Sequence, residues 1–298
     1  MIDSSLSSIE IQFNPESLWL LNLALGFIMF GIALEIKPAH FRLLWESPRA
    51  IFAGLFSQFI ALQLVTLSIV WVLNPATDIA LGMFLVAACP GGNISNFMSH
   101  LAGGNSALSV SLTAISSVAS VLMTPLVFST VSLIYLEGTY TTTNLSISFL
   151  DMLSVVILIL GIPLAFGMIV AHFLPERAKI LSKGFRLASV SFFALLVLLM
   201  IVQNQSAFQA TIISLFGLVI VHNLAALTVG FAVALLFRLG VAERRTLSLE
   251  TGIQNSGLGL LLIFSFFDKN LSMALVAAIW GIWHLISGMS LALFWSKR

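Results

Sequence analysis

Charge is what this chain has least of. Only 8% of its 298 residues are Asp, Glu, Lys or Arg, against about 25% in an ordinary soluble domain. Hydrophobic residues make up 59% and mean hydropathy is +1.08. Together these exclude a soluble globular class and indicate a polytopic membrane protein. The formal net charge is +1, so nothing points to a nucleic-acid partner. Cysteine is nearly absent: Cys89 alone excludes an internal disulfide framework and any multi-cysteine zinc site. The first 17 positions carry Asp3, Glu10 and Glu16 but no basic residue. They lack the basic region of a cleaved leader, so the first apolar run is expected to stay as a span. Low-complexity tracts and linkers are missing as well, so 1–298 reads as a single membrane domain with no obligate protein partner evident.

What is present is a series of uncharged runs, each needing about 20 residues to cross the hydrocarbon. They fall at 17–34, 50–77, 79–136, 152–171, 187–237, 246–267 and 271–295. The run 79–136 is too long for one crossing and divides at Gly103-Gly104-Asn105; 187–237 divides at Gln203-Asn204-Gln205. The reading is nine spans. Basic residues provide an independent check. Lys37, Arg42, Arg49, Arg177, Lys179, Lys183, Arg186, Arg238, Arg244, Arg245, Lys297 and Arg298 then share one face, leaving only Lys269 of the 13 on the other. The positive-inside rule puts that face in the cytoplasm and the N-terminus outside, as for a protein of the cell (inner) membrane. Segments 37–46 and 175–186 mix basic residues with Phe, Leu, Ile or Trp and read as membrane-surface helices.

Two polar islands interrupt the apolar runs. One is Glu250-Thr251-Gly252-Ile253-Gln254-Asn255-Ser256-Gly257 and the other Cys89-Pro90-Gly91-Gly92-Asn93-Ile94-Ser95-Asn96. An acid well inside the bilayer costs roughly 2.5–3.5 kcal/mol even on lenient scales. Glu250 must therefore be answered by a cation or by hydrogen bonds, and the oxygens beside it suit a hard cation. A pairing with Arg244 or Arg245 one turn back is the ordinary alternative. Pro-Gly-Gly unwinds a helix, and such backbone is tolerated at membrane depth only inside protein or along a cavity. Gly92-Asn93-Ile94-Ser95-Asn96 matches Gly252-Ile253-Gln254-Asn255-Ser256 in character, 160 positions apart and in oppositely running spans. Paired broken helices in inverted halves point to a secondary transporter's central site. Ser109 and Thr113 stand at i, i+4 on one helix face. Both could equally bond back to their own helix.

Several motifs then carry a resemblance. They are Pro90-Gly91-Gly92 with Ser95-Asn96, Leu101-Ala102-x-Gly104-Asn105-x-Ala107-Leu108-Ser109-Val110 with Thr113, and Thr124-Pro125. Phe30-Gly31-x-Ala33-Leu34, Pro48-Arg49-Ala50 with Gln58-Phe59, Glu250-x-Gly252-x-Gln254-Asn255-Ser256-Gly257, and Trp283-His284 with Ser287-Gly288 extend it. In order and spacing, from about Leu21 onward, the chain resembles the bile acid:sodium symporter family, as a bacterial-type member. The resemblance implies an all-α inverted-repeat transporter with two crossed broken helices. Panel helices would lie at about 17–35, 152–173 and 184–204, and core helices at about 48–136 and 208–296. It implies two sodium ions, one at Ser95, Asn96, Ser109, Thr113 and Glu250. The other would sit at Gln58, Gln254 and Glu250 with the carbonyls of Thr251 and Ile253. Asn93, Asn255 and His284 would meet an organic anion, either a bile acid-like steroid or a small carboxylate.

Two features depart from the family pattern. The first helix of its ten-span members is missing, and Asn93 and Leu285 stand where relatives often carry other residues. Two other functions stay open at this level. Glu250 could carry a proton in place of sodium, and Ser95 or Ser256 could pair with His100, His222 or His284 in an intramembrane enzyme.

Overall fold

The computed structural model describes residues 18–139, 149–203, 205–267 and 270–297. Asp3, Glu10, Glu16, Asn204, Lys269 and Arg298, used above, lie outside the described residues. Helix α1, Leu18–Ala33, is followed by a 3-10 turn Pro38–Arg42 and the short α2, Leu43–Glu46. Helices α3, Pro48–Phe56, and α4, Leu62–Leu73, are joined without a break by a π-helical turn, Ser57–Ala61. Then come α5, Thr77–Ala88, α6, Ile94–Leu101, and the long α7, Ser106–Thr139. Helices α8, Phe149–Val156, and α9, Ile162–Phe173, are again joined by a π turn, Ile157–Gly161. The chain continues with α10, Pro175–Gln203, α11, Gln205–Leu236, α12, Val241–Gly252, α13, Ser256–Phe266, and α14, Leu271–Ser296.

Among the described residues five segments are long and apolar enough to cross a membrane: Pro48–Leu73, Ser106–Glu137, Phe149–Phe173, Leu215–Leu236 and Leu271–Ser296. Trp71, Leu158, Phe173 and Leu236 are exposed on the helix surfaces, apolar area that water does not tolerate in bulk and lipid does. The protein is a multi-pass membrane protein. Two surface segments differ from the sequence reading. Residues 37–46 form a 3-10 turn and one turn of α-helix rather than a single helix. Residues 175–186 are the start of the continuous α10. Pro175 sits at the first helical position, where its missing N–H costs nothing.

The interruptions between α5 and α6 and between α12 and α13 have local causes. Pro90 disfavours helical backbone in the residue before it, and Cys89 is extended at φ −72, ψ 154. At the other break Ile253 leaves the helix at φ −114, ψ 86, and Asn255 caps α13 by accepting from Leu258 N at 3.1 Å. The two unwound strands lie antiparallel: Gly92 N donates to Ile253 O at 2.9 Å and Asn255 N to Pro90 O at 2.8 Å. Each break thus satisfies the other's orphaned backbone, which hydrocarbon could not do.

The division at Gly103-Gly104 is equally specific. Gly103 takes φ +67, its N–H donates to His100 O at 3.1 Å, and Gly104 N donates to Ser99 O at 2.8 Å. This is the paired hydrogen-bond pattern that ends a helix in a left-handed glycine. The helices flanking the breaks are packed in apolar core. Ile79 to Ala88 of α5, most of α13 and Leu271–Gly281 of α14 are buried. Phe84, Phe128 and Trp280 are the largest of the core side chains fully removed from the surface. Helix α12 presses on α11, where a Cβ on Gly230 would lie 2.2 Å from Leu247 O. Such contact is the use of small residues between membrane helices.

Candidate functional site

Glu250 lies on the last turn of α12, two residues before the break, and is fully buried. Its carboxylate is met from two other helices. Ser95 on α6 and Ser109 on α7 both donate to Oε1, and Thr113 donates to Oε2 at 3.0 Å. Ser109 and Thr113 also reach Asn96 Oδ1, at 2.9 and 3.1 Å, and Ser95 Oγ reaches Gly92 O at 2.7 Å. The five residues expected to form one ion site therefore converge. Ser109 and Thr113 do not fold back on their own helix with these hydroxyls, so their shared face serves Glu250.

Proton arithmetic shows what this cluster lacks. Three hydroxyls supply three protons, but their acceptors are both oxygens of Glu250, Asn96 Oδ1 and Gly92 O. Hydrogen bonds to a charged group contribute about 1.5–3 kcal/mol each, enough together to offset much of the desolvation of one acid. An ionised Glu250 would keep its charge among them, with an excess of oxygen. Among the described residues the basic side chains beside it are used elsewhere. Arg244 Nε donates to Leu239 O at 2.8 Å, and Arg245 Nη1 donates to Ala102 O at 2.7 Å while lying over the Trp295 ring. The pairing of Glu250 with either arginine is not what forms. Among the described residues no three His, Cys, Asp or Glu cluster as a metal site. A cation here would meet one carboxylate and neutral oxygens.

The residues expected at the second ion site lie in and beside the two breaks and the π turn. Gln58, within the π turn, is buried with neither side-chain amide atom partnered. A Cβ added to Gly91 would lie 2.9 Å from Glu250 Oε2 and 3.4 Å from Gln58 Nε2, so both groups crowd the one space this glycine leaves open. Gln254 Nε2 donates to Thr251 O at 2.9 Å, and its Oε1 is buried without a partner. Ile253 O already accepts from Gly92, with a second lone pair left. Unpaired amide oxygens beside a buried carboxylate are what a hard cation satisfies.

A cavity of about 1130 Å³ runs from the breaks to the protein surface. Asn93, Asn255, Ser256 and His284 line its inner part, with Ile32, Phe97 and Leu261 along the wall. Asn93 precedes α6 without capping it, and His284 Nδ1 is buried without a partner. Lys37, His40, His172 and Lys179 line the outer part. Burial, and then the Lys37 ammonium, hold the His40 imidazole below its ordinary value.

Sequence reasoning missed two contributors. Ser57 Oγ lies 2.7 Å from Thr251 Oγ1, and Asn223 Nδ2 donates to Gly252 O at 2.7 Å. The signal for the second was an Asn inside the apolar run of α11. The first had none, because a π turn does not announce itself in composition.

Comparison with known proteins gives a consistent set of relatives. A family model described as the Sodium Bile acid symporter family matches residues 22–236. The chain is 32% identical over 274 residues to a Bacillus subtilis protein named as an uncharacterized sodium-dependent transporter, covering 92% of this chain and 82% of the relative. A probable chloroplastic sodium/metabolite cotransporter of Arabidopsis thaliana is 28% identical, over 92% of this chain and 66% of its own. The mouse ileal sodium/bile acid cotransporter is also 28% identical, over 85% and 71%.

Proposed function

Because the chain belongs to the sodium bile acid symporter family, a family of sodium-coupled transporters and not of enzymes, we propose that it couples the entry of two sodium ions to that of an organic anion. The observation that carries this reading is the setting of Glu250: one buried carboxylate, more oxygens than protons around it, and no basic partner among the described residues. One ion would be held by Ser95, Asn96, Ser109, Thr113 and Glu250. The other would be held by Gln58, Glu250, Gln254 and the carbonyls of Thr251 and Ile253. Both oxygens of the carboxylate are engaged, Oε1 by Ser95 and Ser109 and Oε2 by Thr113.

Two cations against one acid leave a positive field at the breaks. The N-termini of α6 and α13 strengthen it, because the N–H groups of a helix's first turn carry partial positive charge. A carboxylate or sulfonate seated near Asn93, Asn255 and His284 is attracted there. The cavity exceeds the roughly 300–1,000 Å³ of ordinary ligand pockets, and its apolar wall accommodates a steroid-sized body as readily as a small acid. The same cavity ends at Lys37 and Lys179, which the positive-inside rule assigns to the cytoplasm. Its opening on that side supports an inward-facing state of an alternating-access cycle.

The two backbone bonds between the breaks support an inverted repeat. A two-fold axis that exchanges them pairs Pro90 with Ile253, Gly91 with Gln254 and Gly92 with Asn255, a register of 163 positions. With α5/α6 and α12/α13 each counted as one crossing, the elements accommodate nine spans in core and panel groups, in a cell membrane with the C-terminus inside.

Reconstituted vesicles test the transport reading. Radiolabelled taurocholate or pantoate should accumulate under an inward sodium gradient and not in choline. Equal uptake in both buffers would overturn it.

A further inference from the structure

Asn223 is almost completely buried on α11, at the level of the break between α12 and α13. Both ends of its amide are committed. Nδ2 donates to Gly252 O at 2.7 Å, and Oδ1 accepts from Ser287 Oγ on α14. Gly252 is the last residue of α12, so its carbonyl is one of those a helix end leaves without a partner. Its position is further confined from behind, since a Cβ there would lie 2.3 Å from Leu227 Cδ2. The flanking carbonyls, Thr251 O and Ile253 O, are those assigned above to the second ion. The Gly252 peptide lies between them, so the torsions that orient both carbonyls are shared with the one Asn223 holds.

The preceding residue bonds to a different helix. His222 Nε2 lies 2.7 Å from Thr66 Oγ1, and that hydroxyl also lies 2.7 Å from Leu62 O. Thr66 has one proton and gives it to its own helix, so His222 donates to Thr66. This ties α11 to α4, which continues directly from the turn carrying Gln58. Two adjacent residues of α11 thus hold the helix that continues from Gln58 and the carbonyl of Gly252.

We propose that Asn223 is a positioning residue for the second ion site, setting the direction of the Thr251 and Ile253 carbonyls through its bond to Gly252 O, with Ser287 fixing the orientation of its amide. The proposal rests on the sodium reading. Asn223 touches neither ion nor substrate. Losing its hydrogen bond should weaken sodium binding more than it weakens the fold, because Gly252 stays packed while its carbonyl becomes free to swing.

The test is the melting temperature of the purified full chain in detergent, titrated from choline chloride to sodium chloride at constant ionic strength. Wild type should be stabilised with a definable sodium midpoint. Asn223→Ala should raise that midpoint about ten-fold, the scale of one hydrogen bond to a buried carbonyl, with a smaller change in choline alone. Ser287→Ala should raise it about three-fold, and Ser287→Thr, which restores the hydroxyl, should return it toward wild type. Thr228→Ala, an exposed position of α11 bonded only to Leu224 O, should leave it unchanged. If Asn223→Ala does not fold, the Ser287 pair decides. Unchanged midpoints in a protein whose wild type responds to sodium would overturn the proposal and leave the sodium reading standing. A wild type without any sodium-specific response removes the sodium reading, and this inference with it.

Discussion

Ser57 Oγ lies 2.7 Å from Thr251 Oγ1 across 194 positions of sequence. Ser57 gives its proton to Gly54 O at 2.8 Å, so Thr251 is the donor between them. The residue before Gln58 is thereby fastened to the residue after Glu250. Thr251→Val keeps the side chain's shape and removes that donor. The sodium concentration for half-maximal uptake should rise about three- to ten-fold, as for one lost buried hydrogen bond. Thr251→Ser should behave nearly as wild type in the same uptake assay.

Gly91 and Gly92 should respond very differently to the same change. A Cβ on Gly91 would lie 2.9 Å from Glu250 Oε2 and 3.2 Å from Glu250 O, whereas on Gly92 the nearest atom would be 3.7 Å away. Gly91→Ala should yield a folded protein whose sodium-stimulated uptake is lost, because the carboxylate must leave its place. Gly92→Ala should retain at least half of wild-type uptake, on the order of the small cost of an ordinary contact. Size-exclusion profiles of both variants distinguish loss of site from loss of fold.

Gly230 tests packing without touching the site. Its Cβ would meet Leu247 O at 2.2 Å, a backbone atom that cannot rotate away. Gly230→Ala should destabilise by about 1–3 kcal/mol, the cost of overpacking a filled interface, seen as a lower melting temperature. Gly217→Ala, on the same helix with nothing within 4 Å, should not lower it.

Much of this arrangement was legible in the chain. Pro90-Gly91-Gly92 and Gly252 mark the breaks because proline lacks a donor and glycine costs helix propensity. Gly103-Gly104 marks the turn for the same kind of reason. Glu250 stood out because a lone acid in an apolar run demands partners. The pairing of the two unwound strands was not legible: the backbone bonds join 90–92 to 253–255. Hydrogen bonding between unwound strands depends on backbone geometry, which side-chain character does not report. Gln58 entered the sequence reading only through the family resemblance, because no periodicity shows that a π turn carries it toward Glu250. The reading of 175–186 as a helix separate from the next span missed its continuity, because nothing in that stretch forces the helix to end before α10 runs on.

The central claim is that Glu250 holds sodium. At an effective dielectric of about 20, a carboxylate and a cation about 4 Å apart attract by about 4 kcal/mol, roughly a thousand-fold in affinity. Equilibrium dialysis of radioactive sodium against the purified chain measures this directly, with Glu250→Gln and the exposed-site variant Glu137→Ala alongside. Saturable binding to wild type and to Glu137→Ala, displaced by excess sodium but not potassium and undetectable in Glu250→Gln, is the predicted result. Binding of equal strength in Glu250→Gln, or none to wild type, would contradict it.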